Sequence, residues 1–312
     1  MREIVGYLRL HLRHHAHPGL HLLLAVLLAA AFIYNYGTDF KRTVMNAHPG
    51  TWIEIPMYLA FYAVPYGGAL LLQAAFTGVP LPRSRRFWIY SSLALVLLAL
   101  NRTAIALSPA LVDGLDLPRS AVRYLEKCLV NLVRAVAFIL PLVILRRFWD
   151  HEQEDLYGFS RRRFDWKPYL AMLLMMTAPI VWASFQPAFL RTYPIYRPGP
   201  VETALGWPTA LTYGLHEACY ALRFVGVEVF FRGFMVLGLV RWLGRSAILP
   251  MVCLYAVWHF GKPMPEALGS VFGGYILGVI AYESRCILGG TAIHMGVALL
   301  MNLTALLQLI RR

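Results

Sequence analysis

Long apolar stretches separated by short polar runs dominate this chain. A membrane-spanning helix needs about 20 mostly apolar residues. Candidate stretches lie at residues 20–36, 52–77, 87–109, 125–146, 168–188, 207–241, 247–261, 266–282 and 286–309. The stretch 207–241 is long enough for two helices or one broken one. The pattern predicts an all-α fold, a polytopic transmembrane helix bundle of about eight or nine membrane segments. No internal repeat of fixed period is apparent.

The most hydrophilic stretch, residues 148–168, separates about four N-terminal segments from four or five C-terminal ones. The expected organisation is an N-terminal part (1–150), a polar loop (151–167) and a C-terminal core (168–312). At the start, Arg2, Arg9 and Arg13 alternate with leucines, followed by His14, His15 and His17. The histidines invite a metal reading, but a basic amphipathic segment lying on anionic headgroups explains them more simply. No small-residue cleavage site follows a short apolar core, so no removable signal peptide is read.

Composition agrees with the hydropathy pattern. Of 312 residues, 59% are hydrophobic and 14% charged, with a mean hydropathy of +0.57. So little charge cannot coat a water-soluble surface, which excludes a soluble enzyme or a disordered regulator. The net charge of +13 would ordinarily suggest nucleic acid. Here the cations sit in runs between apolar stretches, as at Arg83, Arg85 and Arg86, at Arg146 and Arg147, and at Arg161, Arg162 and Arg163. That placement fits cytoplasmic loops, so the expected partners are the lipid bilayer and membrane-associated peptides, with no nucleic acid. With the N-terminus inside, these runs share the cytoplasmic face, while Arg311 and Arg312 fit less cleanly. Cys128, Cys219, Cys253 and Cys286 form no CxxC pair and no disulfide framework.

Ionisable groups inside the spans are few in the first half, with Glu54 near one end and Arg134 interrupting another. The second half differs: residues 214–239 hold His216, Glu217, Arg223, Glu228 and Arg232. A charged residue at mid-membrane costs about 2.5–3.5 kcal/mol, so it faces the protein interior and marks function. Glu228 and Arg232, at i and i+4, share a helical face, and Glu217 returns to it eleven residues earlier if the helix is unbroken. A structural ion pair would explain Glu228 and Arg232 alone. His259 and His294, each within or ending another apolar run, add two imidazoles. One carboxylate and two imidazoles can hold and deprotonate a water, with a divalent metal such as zinc or without one. Between the histidines, Gly269 with Gly273 and Gly274 with Gly278 form two GxxxG spacings suited to close helix packing. Glu266 follows Pro265 at an expected helix start, where capping competes with a catalytic part.

These residues resemble the CAAX prenyl endopeptidase and bacteriocin-processing (CPBP, or Abi) group of intramembrane proteases. Its pattern is Glu-Glu-x-x-x-Arg, then Phe-x-x-x-His, then His-x-x-x-Asn on successive helices. Here the motifs read VEVFFRG from Val227, YAVWH from Tyr255 and HMGVA from His294, and the likeness covers about 168–305. Position 227 is Val where the family has its first Glu, and position 298 is Ala where it has Asn. The resemblance implies a C-terminal protease core with Glu228, His259 and His294 as catalytic residues. Arg232 supports them, and Glu217, Glu266 and Asn302 are nearby polar groups outside the motifs.

The resulting expectation is an intramembrane endopeptidase that hydrolyses peptide bonds of membrane-associated substrates with a Glu/His-activated water. A protease-like scaffold that binds without hydrolysis is the alternative, motivated by Val227 and Ala298. A transporter is disfavoured by the lack of an internal repeat. The cell membrane of a bacterium is the expected location.

Overall fold

The computed structural model describes residues 2–14, 16–103, 105, 107–160 and 164–311, with only the backbone of His14. His15, Arg161, Arg162, Arg163 and Arg312, used in the charge argument, lie outside the described residues. In chain order the helices are α1 (Arg2–His14), α2 (Pro18–Thr38), α3 (Glu54–Thr77), α4 (Arg85–Thr103), α5 (Leu107–Val112), α6 (Arg119–Phe148) and α7 (Lys167–Ala183). There follow α8 (Pro187–Thr192), α9 (Pro200–Leu205), α10 (Thr209–Glu228), α11 (Val240–Leu243), α12 (Ile248–Trp258), α13 (Met264–Ser284) and α14 (Leu288–Ile310). Lys41–Met45 and Val229–Gly238 are π-helical. Among the described residues there is no strand, so the protein is all-helical.

Each apolar stretch read from the sequence falls on a helix. Five of them, α2, α3, α6, α13 and α14, are long and apolar enough to cross a membrane, and α7 is apolar but only 17 residues. The others fall short for visible reasons. α4 carries Arg85, Arg86 and Arg102, α12 has 11 residues, and 209–238 is interrupted by ionisable side chains and a change of helix type.

Local chemistry sets the helix ends. Pro18 fits the first turn of α2, where no N–H partner is needed, and the His17 ring accepts from Leu20 N–H at 3.4 Å. The His17 ring thus caps α2. α3 stops at Gly78, whose φ of 69° is the left-handed conformation that glycine adopts without strain. α13 opens on Pro263 and Pro265, with Glu266 in its first turn and 3.0 Å from the Lys262 ammonium. Glu266 thus lies at the positive end of the helix and pairs with Lys262.

The chain forms two compact units. One comprises Met1–Thr103, Leu142–Phe164 and Val229–Leu288. Within it α12 packs against α3 and α13, and α1 lies along α13. α1 is not wholly a surface helix, because Ile4 and His11 are buried, His11 edge-on to Tyr275. The two GxxxG spacings of α13 divide in function. A Cβ on Gly274 would sit 3.0 Å from the Tyr255 ring and one on Gly278 2.9 Å from Met251, whereas Gly269 and Gly273 face open space. Only the second spacing is a packing face, and it is what lets α12 approach. The polar segment after α6 folds inward: Asp150 and Tyr157 are buried and joined at 3.0 Å, and Arg241 reaches Asp150 at 2.9 Å.

The other unit comprises Ala104–Pro141, Asp165–Glu228 and Gly289–Arg312. α10 lies against α6, because a Cβ at Gly226 would meet the Ala135 backbone at 2.9 Å. Tyr124 donates to Thr212 O at 2.8 Å across the same pair. On its other side α10 meets α14 through Tyr220, Phe224 and Ala298, with polar contacts at two levels described next.

Candidate functional site

α10 is an unbroken α-helix from Thr209 to Glu228, so Glu217 and Glu228 return to one face after three turns. That face meets α14. Glu228 Oε1 lies 2.8 Å from His294 Nδ1, and the His294 ring packs 4.5 Å, centroid to centroid, from Phe224. Glu228 is fully buried and the His294 side chain is 16% exposed, so the pair is shielded but not sealed. With the carboxyl ionised and the ring neutral, Nδ1 would donate to Glu228 and the lone pair would lie on Nε2. A basic nitrogen held by a buried carboxylate is the arrangement that general-base catalysis uses.

Three turns earlier a second pair joins the same helices. Asn302 Nδ2 donates to both oxygens of Glu217, at 3.0 and 2.9 Å, and Asn302 Oδ1 accepts from Ile195 N–H at 3.1 Å. His216 Nδ1 lies 3.1 Å from Glu217 Oε1, and its ring stacks on Tyr196. Both ends of the Asn302 amide are thus engaged in holding the segment before α9 against α14. Ala298, one turn from Asn302, lies in an apolar cluster with Tyr220 and Phe224.

The remaining motif residues belong to the first unit. After Glu228 the helix changes from α to π hydrogen bonding, a widening often found at functional positions. Arg232 is buried there, its guanidinium 4.3 Å from the centre of the Tyr255 ring. His259 ends α12 with its ring 4.3 Å from the same tyrosine, and its Nδ1 lies 2.9 Å from Tyr255 O. A carbonyl can only accept, so Nδ1 of His259 carries a proton. Tyr255, which stands where the family motif has Phe, joins Arg232 to His259. Its position one turn before His259 was the available signal. Phe224, the apolar wall of His294, carried no signal at all.

Among the described residues no three His, Cys, Asp or Glu side chains gather closely enough to hold a metal ion. Glu228 and His294 by themselves supply two donors, fewer than a four-coordinate zinc takes.

A family model for the type II CAAX prenyl endopeptidase Rce1-like proteins matches residues 218–300. The matched segment contains Glu228, Arg232, His259 and His294. No curated protein and no solved structure matches the chain.

Proposed function

We propose that this chain, which belongs to the CAAX prenyl endopeptidase and bacteriocin-processing group through residues 218–300, is an intramembrane endopeptidase whose water-activating base is His294. The observation that carries the reading is the 2.8 Å contact between Glu228 and His294 inside the matched segment. Glu228 holds the imidazole with its proton on Nδ1. Nε2 then takes a proton from a water as that water's oxygen attacks the scissile carbonyl carbon. The imidazolium formed is stabilised by the Glu228 carboxylate, in the way a buried acid supports a catalytic histidine. Collapse of the tetrahedral oxyanion breaks the C–N bond, and the imidazolium returns its proton to the leaving amine. The products are a carboxylate and an amine, and His294 ends neutral.

This assignment gives Glu228 a positioning part rather than the direct proton abstraction that the motif alone suggests. It therefore does not depend on a carboxylate at Val227. His259 and Arg232 are named by the family motif alone, and the step at His294 assigns them no part. Glu217 and Asn302 hold α10 and α14 in register. Substrates are peptides anchored in or lying on the membrane, since the groups sit among apolar helices. The helices that fall short of spanning length by themselves complete a bundle of eight or nine segments, in the cell membrane of a bacterium.

The test uses purified protein in liposomes with a membrane-anchored peptide, reading cleavage by mass. Wild type should cleave and Glu228→Ala should not. Full activity in Glu228→Ala removes this carboxylate from the reaction and discards the assignment.

A further inference from the structure

Two of the four cysteines meet between α6 and α10, and the proposed reaction uses neither. Cys128 and Cys219 pack in one cluster of the second unit, with Tyr124, Tyr196 and Val201 around them. The Cys128 thiol is in hydrogen-bonding contact with the Cys219 thiol and with the Tyr124 hydroxyl, which itself donates to Thr212 O at 2.8 Å. The helices hold this pair in register. On each of them seven residues separate the cysteine from the close approach of Ala135 and Gly226. Seven residues are two turns, so the thiol contact and the close approach lie on the same facing sides. A Cβ at Gly226 would meet the Ala135 backbone at 2.9 Å, so no side chain holds the two backbones apart there. A disulfide needs its two Cβ atoms about 3.8 Å apart, a separation that only helices packed this closely offer.

The sequence of α6 places the pair at the edge of the membrane. Arg119, Arg123 and Lys127 recur every four residues at exposed positions, and the apolar run begins after Cys128. The pair is therefore level with the headgroups, within reach of a water-borne reagent. Arg146 and Arg147 end the same helix, and the next loop adds Arg161, Arg162 and Arg163. By the positive-inside rule this cation-richer end faces the cytoplasm, and the cysteine end faces the opposite compartment. Disulfides persist outside the reducing cytoplasm. The two thiols also differ in access, since Cys128 is 8% exposed and Cys219 is half-buried.

We propose that Cys128 and Cys219 form a disulfide that ties α10, the helix carrying Glu217 and Glu228, to α6. The oxidant is a disulfide, small-molecule or protein. The Cys219 thiolate attacks one of its sulfurs, releases a first thiol and is left as a mixed disulfide. The Cys128 thiolate then attacks Cys219 Sγ and expels the second thiol. Two thiols are oxidised, one disulfide is reduced, and both protons leave on the released thiols. The bond needs nothing from the peptidase reading.

The full chain is taken from cell membranes without reductant, unfolded in dodecyl sulfate, alkylated with N-ethylmaleimide and mapped by mass. Cys253 and Cys286 should be alkylated, whereas Cys128 and Cys219 should be recovered as one linked peptide pair. Prior reduction should make all four react. In nanodiscs with oxidised glutathione, Cys128→Ser should carry a glutathione adduct on Cys219. Cys219→Ser, left with the buried thiol, should carry roughly tenfold less. The wild-type mapping stands by itself if either variant misfolds. Free Cys128 and Cys219 thiols in wild type taken straight from the membrane overturn the proposal, even if added glutathione joins them later. Linkage of either residue to a second chain, seen as a dimer without reductant, also overturns it. Equal adducts on the two single variants refute Cys219 as the first nucleophile.

Discussion

Replacing Glu228 with Gln separates a positioning carboxylate from an ion-pair partner. The present contact is Nδ1–H donating to Oε1 at 2.8 Å, with Glu228 fully buried. An amide of the same size can accept from Nδ1–H through its carbonyl or donate to Nδ1 through its NH2. Either way the negative charge that stabilises the imidazolium is lost, and in the second orientation the proton also moves to Nε2, so the nitrogen facing the substrate no longer takes a proton from water. General-base catalysis contributes about 10²–10⁴-fold, or about 3–5 kcal/mol of barrier. Glu228→Gln should lower kcat by that factor with KM and thermal stability nearly unchanged. His294→Gln should be at least as damaging, and the double variant no worse than the single, because the two residues act as one unit. The assay is peptide cleavage in liposomes under saturating substrate, alongside thermal unfolding in detergent. More than a tenth of wild-type kcat in Glu228→Gln would refute this part for Glu228, as would strictly multiplicative losses in the double variant.

Further expectations follow from the packing and from the loop chemistry. Asn302→Leu takes both amide donors from Glu217, leaving it His216, and strands the Ile195 N–H, so stability in detergent should fall by about 2 kcal/mol or more. An unchanged transition midpoint would mean that water replaces the amide. Gly278→Leu drives a side chain into Met251 and Ile248 and should cost about 1–3 kcal/mol, while Gly273→Leu, facing open space, should cost little. Equal effects would remove the distinction between the two GxxxG spacings. Burial works to raise the Glu202 carboxyl, but hydrogen bonds from the Thr212 and Tyr196 hydroxyls and from Gly199 N–H outweigh it and hold the group below its ordinary 4.5. A depressed folded value means its stabilisation is present above 4.5 and lost as pH falls through the lowered value. Melting temperatures taken from ~pH 6 to ~pH 3 should therefore drop less in Glu202→Gln than in wild type. Parallel curves for the two proteins would contradict this.

Much of the fold and part of the site could be read before any coordinates, because both rest on local regularities. An apolar run of membrane length needs its backbone satisfied internally, which is why the candidate stretches are helical among the described residues, although 87–109 and 207–241 are each divided among more than one helix. Helical period also placed Glu217 and Glu228 on one face, and both carboxylates do reach α14. Sequence spacing by itself could not say which partner each would take. That His294 answers Glu228 while Asn302 answers Glu217 depends on the register of α14 against α10, which side-chain packing around Phe224 and Ala298 decides. The same holds for the two GxxxG spacings, alike in sequence, of which only the one facing α12 is used. The polar segment 149–160 reads as a plain linker because its hydrophilic side chains are all that composition registers. Its Asp150 and Tyr157 are drawn inside by Arg241, about ninety positions away. Periodicity carries information only along one helix, whereas partners, registers and inward-folded loops are fixed by contacts between segments distant in the chain.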